Sequence, residues 1–252
     1  MKAMILAAGL GTRLRPLTDD RPKALVTVAG RTLLEIALLR LRSFGVNEAI
    51  VNAHHYAEMI VEYLKANGNF GMRIEVSREE ELLDTGGGLK KAAYFFSGSS
   101  REPFIVHNVD VLSAIDLGRM MRFHTEHSAL ATLAVQERVS SRHLLFDEQG
   151  RLCGRRAGRA PESEEVQIEL VRPAAQVQAL AFCGIHVVSP QIFAKMDEVG
   201  AFPIIAAYLR LAAQGEKIIA FRADESYWRD LGRPESILQA AQDMGGGKYS
   251  VT

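Results

Sequence analysis

Apolar and polar positions alternate along the chain with two periods, one typical of strands and one typical of helices. The first apolar run covers residues 1–6, and Gly9 and Gly11 follow it closely. Short apolar or alternating runs predict strands at 1–6, 48–52, 72–77, 104–109, 129–136, 144–147, 151–154, 180–188 and 217–222. Apolar residues at helical spacing predict helices at 32–44, 56–65, 89–96, 117–127, 204–214 and 236–244. Strands that alternate with helices in this way predict a parallel sheet with helices on both faces.

Two segments fall outside this pattern. Residues 155–167 are polar and rich in Gly, Arg and Glu, which predicts an exposed excursion and not a domain boundary. Residues 243–252 contain the run GGGKYSVT and are expected to form a loosely held tail. The chain shows no internal repeat, so residues 1–252 are predicted to form a single domain.

The turn after the first strand has the features of a phosphate-binding loop. A glycine turn at the end of a buried strand leaves backbone N–H groups pointing outward, and Arg13, Arg15 and Lys23 follow within a few residues. A dinucleotide fingerprint would need glycine in place of Leu14, and a Walker-type loop would need Gly-Lys-Ser/Thr after Gly11, so neither motif fits. A nucleoside triphosphate carries about four negative charges, whereas a helix N-terminus supplies roughly half a positive charge. Fixed cations and a divalent metal could supply the rest.

Composition argues against several classes of protein. The chain has 30 Lys and Arg against 30 Asp and Glu, whereas nucleic-acid-binding domains are usually visibly basic. Cys153 and Cys183 lack metal-ligand spacing, which favours reduced residues in a cytosolic protein. No apolar run approaches the roughly 20 residues that span a bilayer, and the first run is too short for a signal peptide. We therefore expect a soluble cytoplasmic protein that binds neither nucleic acid nor membrane.

Two aspartates stand where a metal could be held. Asp110 ends the predicted strand FIVHNVD, and ligands of open α/β sheets bind at the carboxyl ends of strands. A residue that caps the next turn is an equally good interpretation of this segment alone. Asp230 lies in YWRDLGRPES, which by itself is better explained as a surface turn. Carboxylates so far apart in sequence can share one metal only if the fold brings them together.

Several histidines invite weaker interpretations. His124 and His127 stand three residues apart on a predicted helix with no third ligand nearby, so exposed helix residues are favoured over a metal pair. Asn52, His54 and His55 follow a strand end, where capping and packing are favoured over a binding role.

Five segments, in order along nearly the whole chain, resemble the sugar-1-phosphate nucleotidyltransferases, or NDP-sugar pyrophosphorylases. They are AAGLGTRLRPLT with the RPK that follows it, LLDTGGGLKKA, VHNVDVL, LAFCGIHVVSP and YWRDLGRPES. Together with the strand–helix order, the resemblance implies an α/β fold of the Rossmann-like type, a three-layer αβα sandwich with a mixed, mostly parallel central sheet. The single domain would then be a nucleotidyltransferase domain.

The resemblance also implies a reaction and the residues that support it. A phosphate oxygen of a sugar 1-phosphate would attack the α-phosphorus of a nucleoside triphosphate and expel pyrophosphate, with Mg²⁺ as cofactor. Catalytic roles are implied for Arg13, Lys23 and Asp110, and Mg²⁺ would be held by Asp110 and Asp230. Sugar contacts are implied for Asn108 and Gly184. Nucleotide contacts are implied for Leu6, Ala7, Ala8, Gly9, Gly11, Thr12, Arg13, Lys23, Thr85, Gly86 and Gly87.

The chain departs from the family pattern at the sugar end. Val109 replaces a glycine and narrows the space beside the metal, and Pro161-Glu162-Ser163 lacks the lysine of a Glu-Lys-Pro motif that holds the sugar phosphate. Arg15 is a less certain phosphate ligand because it could instead pair with Asp19 or Asp20.

Within the family, the compact length and the RLRPLT and TGGG loops look most like the N-acetylmuramate 1-phosphate uridylyltransferases. This implies UTP and an N-acetylmuramate-type sugar 1-phosphate as substrates of a monomer or homodimer. Mannose 1-phosphate guanylyltransferases and phosphocholine cytidylyltransferases share the N-terminal motif. A non-catalytic nucleotide-sensing subunit is disfavoured because both metal carboxylates are kept. A NAD-dependent oxidoreductase is disfavoured by Leu14 and by Asn52, which stands where an acidic residue would be needed.

Overall fold

The structure is a computed structural model that describes residues 1–96, 102–158 and 167–250. The strands of these ranges are β1 (Lys2–Leu6), β2 (Thr27–Val28), β3 (Arg31–Thr32), β4 (Glu48–Ala53), β5 (Arg73–Arg78), β6 (Phe104–Asn108), β7 (Val111–Ser113), β8 (Ala131–Gln136), β9 (Arg142–Phe146), β10 (Leu152–Ala157), β11 (Gln167–Leu170), β12 (Gln178–Val188), β13 (Ile218–Arg222) and β14 (Trp228–Asp230). The α-helices are α1 (Leu33–Ser43), α2 (Ala57–Ala66), α3 (Asp84–Lys91), α4 (Ala93–Phe96), α5 (Leu117–Glu126), α6 (Ile204–Ala213) and α7 (Pro234–Gly245).

Ten of these strands form one mixed sheet. Its order along the main path is β11-β10-β9-β12-β6-β1-β4-β5, and β8 branches from β12 and carries β13. The core strands β6, β1, β4 and β5 are mutually parallel, whereas β12 runs antiparallel to β6, β8 and β9. Because β6 and β8 both oppose β12, they point the same way. The carboxyl ends of β1, β4, β6 and β8 therefore share one edge of the sheet.

Helices cover both faces of the sheet. Alternate residues of β1 enter two different cores, Ala3 and Ile5 on one face and Met4 and Leu6 on the other. The first core is closed by α1, α2, α5 and α7, and the second by α3, α4 and α6. This confirms the predicted three-layer αβα sandwich with a mixed sheet whose core is parallel.

Local sequence explains where the helices begin. Thr32 caps α1 by accepting a hydrogen bond from the Glu35 N–H at 3.0 Å. Asp116 caps α5 in the same way, accepting from the Arg119 N–H at 2.8 Å. Gly45 follows α1 with φ +82°, the left-handed conformation that the predicted helix end requires.

Three segments of the structure add to the elements that the periodicity predicts. Strands β7 and β14 form a two-stranded ladder outside the main sheet, in segments for which the sequence pattern predicts no strand. The segment 155–167, predicted as an exposed excursion, includes the end of β10, which pairs antiparallel with the exposed strand β11, while residues 159–166 lie outside the described ranges. The described part of the tail predicted at 243–252 contains two buried side chains and is otherwise mostly exposed, and the looseness of the tail stays a prediction. Asp243 belongs to α7 and is 4% exposed, and the Tyr249 ring is 5% exposed, 5.3 Å from that of Tyr227.

Candidate active site

Three parallel strands end at the same level on one edge of the sheet. Leu6 of β1 lies between Asn52 of β4 and Asn108 of β6 in the register of the ladder. The Asn52 amide is buried, accepts a hydrogen bond from the Ala7 N–H at 2.7 Å and donates to Glu79 at 2.7 Å. Asn52 thus has the packing role that the sequence favoured, and the Ala7 N–H has a protein acceptor.

The loop after β1 contains Gly9 and Gly11 and is followed by the cations Arg13 and Lys23. Gly11 has φ +66°, and a Cβ there would lie 2.9 Å from Thr18 Cγ2, so this position requires glycine. Gly9 has no atom within 4 Å of its Cβ position and borders open space. Leu14 is fully buried and anchors the turn, which leaves the Arg13 side chain exposed. The loop is therefore fixed to the core by one side chain and open at the other end.

Arg15 points away from this arrangement. Its guanidinium lies 3.5 Å from the Asp19 carboxylate, and both side chains are more than half exposed. Asp20 pairs with Arg21 instead, at 2.8 Å. Of the two partners that the sequence offered to Arg15, the structure selects Asp19.

The ladder of β7 and β14 brings the two predicted metal ligands together. Asp230 stands opposite Val111 in the antiparallel register, and the Leu231 N–H donates to the Asp110 carbonyl oxygen at 2.8 Å. Asp110 precedes β7 and Asp230 ends β14, so the two residues lie at the same end of the ladder. The ladder thus brings Asp110 and Asp230 close together, although they are far apart in the sequence.

Both carboxylates lie close to a cation. The Lys23 ammonium forms an ion pair with Asp110, and these side chains are 12% and 15% exposed. A Cβ on Gly232 would lie 2.6 Å from Asp230 Oδ1 and 2.9 Å from an Arg13 terminal nitrogen, so the Arg13 guanidinium and the Asp230 carboxylate converge there. The Gly232 N–H also donates to Asp230 at 2.7 Å. Two cations and two anions thus face one open site.

The donor set fits a hard divalent cation. Within the described ranges no three His, Cys, Asp or Glu side chains form a metal-binding group. Mg²⁺ commonly uses one or two protein carboxylates and completes its shell with water and substrate phosphate oxygens, so a pair of aspartates is enough. Asp110 and Asp230 are the residues that could hold it.

The predicted sugar ligands are neighbours. Gly184 of β12 has φ +72°, and a Cβ there would lie 2.8 Å from Asn108 Nδ2 and 2.9 Å from Val111 Cγ2. The pairing of β12 with β8 shifts register between Phe182 and His186, so Gly184 also lies in a β-bulge. Val109, by contrast, is 3% exposed within the first core, so its side chain does not narrow the open site as expected. The residues Pro161, Glu162 and Ser163 lie outside the described ranges.

The TGGG segment is helical and is not an open loop. Residues 84–91 form α3, and the Gly86 and Gly87 N–H groups donate to the Phe202 carbonyl oxygen at 2.9 and 3.3 Å. Thr85 Oγ1 accepts from the Ile204 N–H at 2.9 Å and so supports the start of α6. The nucleotide contacts expected of Thr85, Gly86 and Gly87 stay a prediction, because in this structure their polar groups bind protein.

Burial keeps the histidines around the site neutral. His107 is 2% exposed, its Nδ1–H donates to the Asn108 carbonyl oxygen at 2.7 Å, and burial lowers its pKa to about 4. His186 is fully buried, accepts from or donates to Tyr208 Oη at 2.7 Å, and has its pKa lowered by burial to about 3. Burial raises the pKa of Cys183 to about 12, so this residue next to Gly184 is a thiol. The charges at the site therefore belong to Arg13, Lys23 and the two aspartates.

His124 differs from the sequence expectation. It is 1% exposed and hydrogen-bonds Thr132 and Ser189 at 2.9 Å each, whereas an exposed residue was predicted. It borders a cavity of about 400 Å³ that residues preceding β8 and β13 line. This cavity lies at the amino-terminal edge of those strands, opposite the edge that carries Asp110.

Sequence reasoning missed Glu79. Its side chain is 4% exposed, accepts from Asn52 and from the Leu83 N–H at 3.1 Å, and joins β4 to the start of α3. In the sequence it is one of three consecutive glutamates, and nothing in that run distinguishes the buried residue from the exposed ones.

The comparisons with known proteins agree with this geometry. The profile of the nucleotidyl transferase family matches residues 2–146. The N-acetylmuramate alpha-1-phosphate uridylyltransferase of Caulobacter vibrioides is 34% identical over 241 residues, which cover 94% of each chain. Mannose-1-phosphate guanylyltransferase 1 of Arabidopsis thaliana is 30% identical over 94% of this chain, which spans 63% of that longer protein.

Solved structures show the same fold. A UDP-glucose pyrophosphorylase complexed with UDP-glucose superposes with a TM-score of 0.76 at 20% identity, over 98% of each chain. HddC from Yersinia pseudotuberculosis superposes with a TM-score of 0.74 at 22% identity, over 96% of this chain and 99% of that one. The fold and the family match define a nucleotidyltransferase. The chain belongs to the nucleotidyl transferase family, and within it to the sugar-1-phosphate nucleotidyltransferases.

Within the described ranges, every helix is too short or too polar to cross a bilayer. The cytoplasmic location and the monomeric or homodimeric state stay predictions.

Proposed function

We propose that the protein joins UTP and N-acetylmuramate 1-phosphate to form UDP-N-acetylmuramate and pyrophosphate, with Mg²⁺ as cofactor. One observation carries the chemistry: the β7–β14 ladder brings Asp110 and Asp230 together beside Lys23 and Arg13. The choice of substrates is supported by the identity to the Caulobacter uridylyltransferase, which spans nearly the whole of both chains.

In this mechanism the protein positions two phosphates and balances their charge, because phosphoryl chemistry needs little covalent help from the protein. Asp110 and Asp230 would hold Mg²⁺, which when bound neutralises phosphate charge and orients the two substrates. The Lys23 ammonium moves from Asp110 towards the α-phosphate as the triphosphate enters. The Arg13 guanidinium, exposed at the mouth of the loop, binds the departing pyrophosphate. Gly184 and Asn108 let the sugar ring lie close to β6 and β12.

Pyrophosphate release over a grid of nucleoside triphosphates and sugar 1-phosphates, each with Mg²⁺ and with EDTA, tests the proposal. We expect release with UTP and N-acetylmuramate 1-phosphate, at least tenfold above every other pair, and none with EDTA. Mannose 1-phosphate guanylyltransferase activity is the second candidate, supported by the 30% identity to the Arabidopsis enzyme over 94% of this chain. Release only with GTP and mannose 1-phosphate, or only with CTP and phosphocholine, would name those enzymes instead. No release with any pair, despite nucleotide binding, would favour a sensor.

A further inference from the structure

A positively charged cavity of about 390 Å³ lies between β8, β9, β10 and β12. Arg138 and Arg156 line it together with His143, and Ala179 of β12 forms part of its wall. Glu137 stands at its exposed rim, where its carboxylate is 3.3 Å from the Arg222 guanidinium. Two arginines therefore face the cavity, and Glu137, the acidic residue among the described residues that line it, already has another cation.

His143 fixes the direction of Arg156. The two residues are direct partners in the β9–β10 register, and an Arg156 terminal nitrogen lies 3.3 Å from His143 Nδ1. A guanidinium can only donate, so Nδ1 is the acceptor and His143 Nε2 carries the proton. That Nε2–H donates to the Arg138 carbonyl oxygen at 3.1 Å. The histidine is therefore the neutral tautomer and connects the two arginine segments.

Arg138 is held from two sides. Its guanidinium carbon lies 3.8 Å from the centroid of the Trp228 ring, and a terminal nitrogen donates to the Phe182 carbonyl oxygen at 2.9 Å. Burial lowers the pKa of Arg138, with the Cys183 thiol and the Asp230 carboxylate acting in the opposite direction. The group is thus rigid and partly removed from water.

Both arginines have polar hydrogen atoms to spare. The Nε atoms of Arg138 and Arg156 are buried and have no hydrogen-bond partner. In the described ranges these two side chains contact a carbonyl oxygen, the Cys183 thiol, an imidazole and an aromatic ring, and they form no ion pair with a carboxylate. Buried unsatisfied donors and desolvated cations are costly, so the cavity favours an oxyanion that accepts from both.

The cavity is next to the sugar end of the active site. Arg138 follows β8 at the sheet edge where Asp110 follows β6. Trp228, on which Arg138 stacks, stands two residues before Asp230 on β14 and so shares its face of the ladder. The Trp228 indole donates to the Cys183 carbonyl oxygen at 2.8 Å, directly before Gly184. A group attached to a sugar held near Gly184 is therefore adjacent to the cavity.

We infer that Arg138 and Arg156 bind a carboxylate carried by the sugar 1-phosphate substrate. The inference rests on the proposed function and deepens it, because N-acetylmuramate differs from N-acetylglucosamine by a lactyl ether that ends in a carboxylate. Arginine suits this task because its planar fork can bind both carboxylate oxygens. The pair would then select acidic sugars over neutral ones.

The test compares Arg156→Gln with Arg155→Gln. Arg155 is the next residue on β10, points to the opposite face and pairs with Glu169 at 2.6 Å, so it is a matched control. We expect Arg156→Gln to raise the KM for N-acetylmuramate 1-phosphate about 10- to 100-fold, the loss typical of one charge-assisted contact. The KM for UTP, measured in the same reactions, should change less than twofold, and Arg155→Gln should behave as wild type. Arg156→Lys, which keeps the charge but not the fork, should fall between them.

The outcomes separate this inference from the function on which it rests. An unchanged KM for the sugar in Arg156→Gln, with wild-type turnover of N-acetylmuramate 1-phosphate, would overturn the carboxylate site alone. Absence of turnover of that sugar by the wild type would overturn the proposed substrate itself. The third measurement adds inorganic phosphate at millimolar concentration to both proteins. If phosphate increases the turnover of the wild type and not that of Arg156→Gln, the cavity binds a free oxyanion and the assignment to the sugar is wrong. Equal increases in the KM for both substrates would mean that Arg156 only supports the fold.

Discussion

At the scale of single residues, Lys23 and Asp110 form an ion pair that the proposed mechanism has to break. Each side chain is less than one-fifth exposed, and each is the other's charged partner in the described part of the chain. The carboxylate that we propose as a metal ligand and the ammonium that we propose as a phosphate ligand are thus paired with each other in this structure. The site is therefore built with its charges compensated, which limits the cost of holding them in a partly buried position.

Replacing Asp110 by asparagine should separate this chemistry from the fold. The amide oxygen still accepts from Lys23 but no longer balances its charge, so we expect the protein to fold with a melting temperature lowered by several degrees. Turnover should fall about a thousandfold, because a metal ligand and its charge are lost. Pyrophosphate release and thermal unfolding measure the two effects. Asp197→Asn, at an 83% exposed side chain, is the control. Near-wild-type release by Asp110→Asn would exclude this residue as a metal ligand.

Replacing Lys23 by alanine tests its role in the transition state. Loss of one positioned cation should lower kcat about 100-fold, in addition to any rise in the KM for the nucleotide. Lys65→Ala, at an exposed position near the end of α2, should leave both parameters unchanged. If kcat is preserved and only KM rises, Lys23 binds the substrate without stabilising the transition state.

The elements of the sandwich followed from periodicity, but the small ladder did not. Residues 104–109 and 180–188 are predominantly apolar runs, and both appear as central strands with almost the predicted bounds. Strands β7 and β14 have three residues each, too short to produce a period. Their pairing is a tertiary contact between distant segments. The proximity of Asp110 and Asp230 could therefore be expected from the family resemblance but not from local pattern.

The glycines of α3 are a second feature that tertiary contacts explain and the local sequence does not. Three consecutive glycines suggest flexibility, yet a Cβ on Gly88 would lie 2.7 Å from both Asn52 Nδ2 and Glu79 Oε1. Those side chains are buried and hydrogen-bonded to each other, so they have little freedom to move. Close packing against other elements, which the sequence does not display, is the reason for glycine here.

We expect Gly88→Ala to lower the free energy of unfolding by about 1–3 kcal/mol, the usual cost of overpacking. Gly245→Ala is the matched control, because it lies in the last turn of α7 with no atom within 4 Å of its Cβ position. That change should be neutral or stabilising by up to about 1 kcal/mol. Urea denaturation of the two variants and of the wild type measures these changes in the free energy of unfolding. Equal stability of Gly88→Ala and the wild type would show that α3 shifts freely.

At the scale of the whole molecule, buried histidines make stability depend on pH. The pKa values of His107 and His124 are lowered to about 4 and that of His186 to about 3, chiefly by burial. The stability that the neutral rings provide is fully present above pH 6.5, the ordinary value of the unfolded chain. Below that pH the unfolded chain binds protons that the folded protein does not, so stability falls until about pH 4.

Each of these histidines should therefore lower the free energy of unfolding by about 2 kcal/mol as the pH falls from 6.5 to 5. Calorimetric melting at fixed ionic strength should show a lower melting temperature at pH 5 than at pH 7, with proton uptake on unfolding. Substituting the exposed His55 by glutamine should leave the pH profile unchanged. A melting temperature that is constant between pH 7 and pH 5 would mean that the pKa values of the buried histidines are the same in the folded protein as in the unfolded chain.

In the proposed mechanism, the contact between Lys23 and Asp110 also makes the binding of the divalent cation and the binding of the triphosphate thermodynamically dependent on each other. A divalent cation that binds Asp110 must displace the ammonium, and a triphosphate that attracts the ammonium frees the carboxylate. Each ligand therefore removes a competitor of the other, and linkage requires the enhancement to be equal in both directions. Calorimetric titration should find that the cation binds the protein more tightly when a non-hydrolysable triphosphate is present, and that this cooperativity decreases in Lys23→Ala.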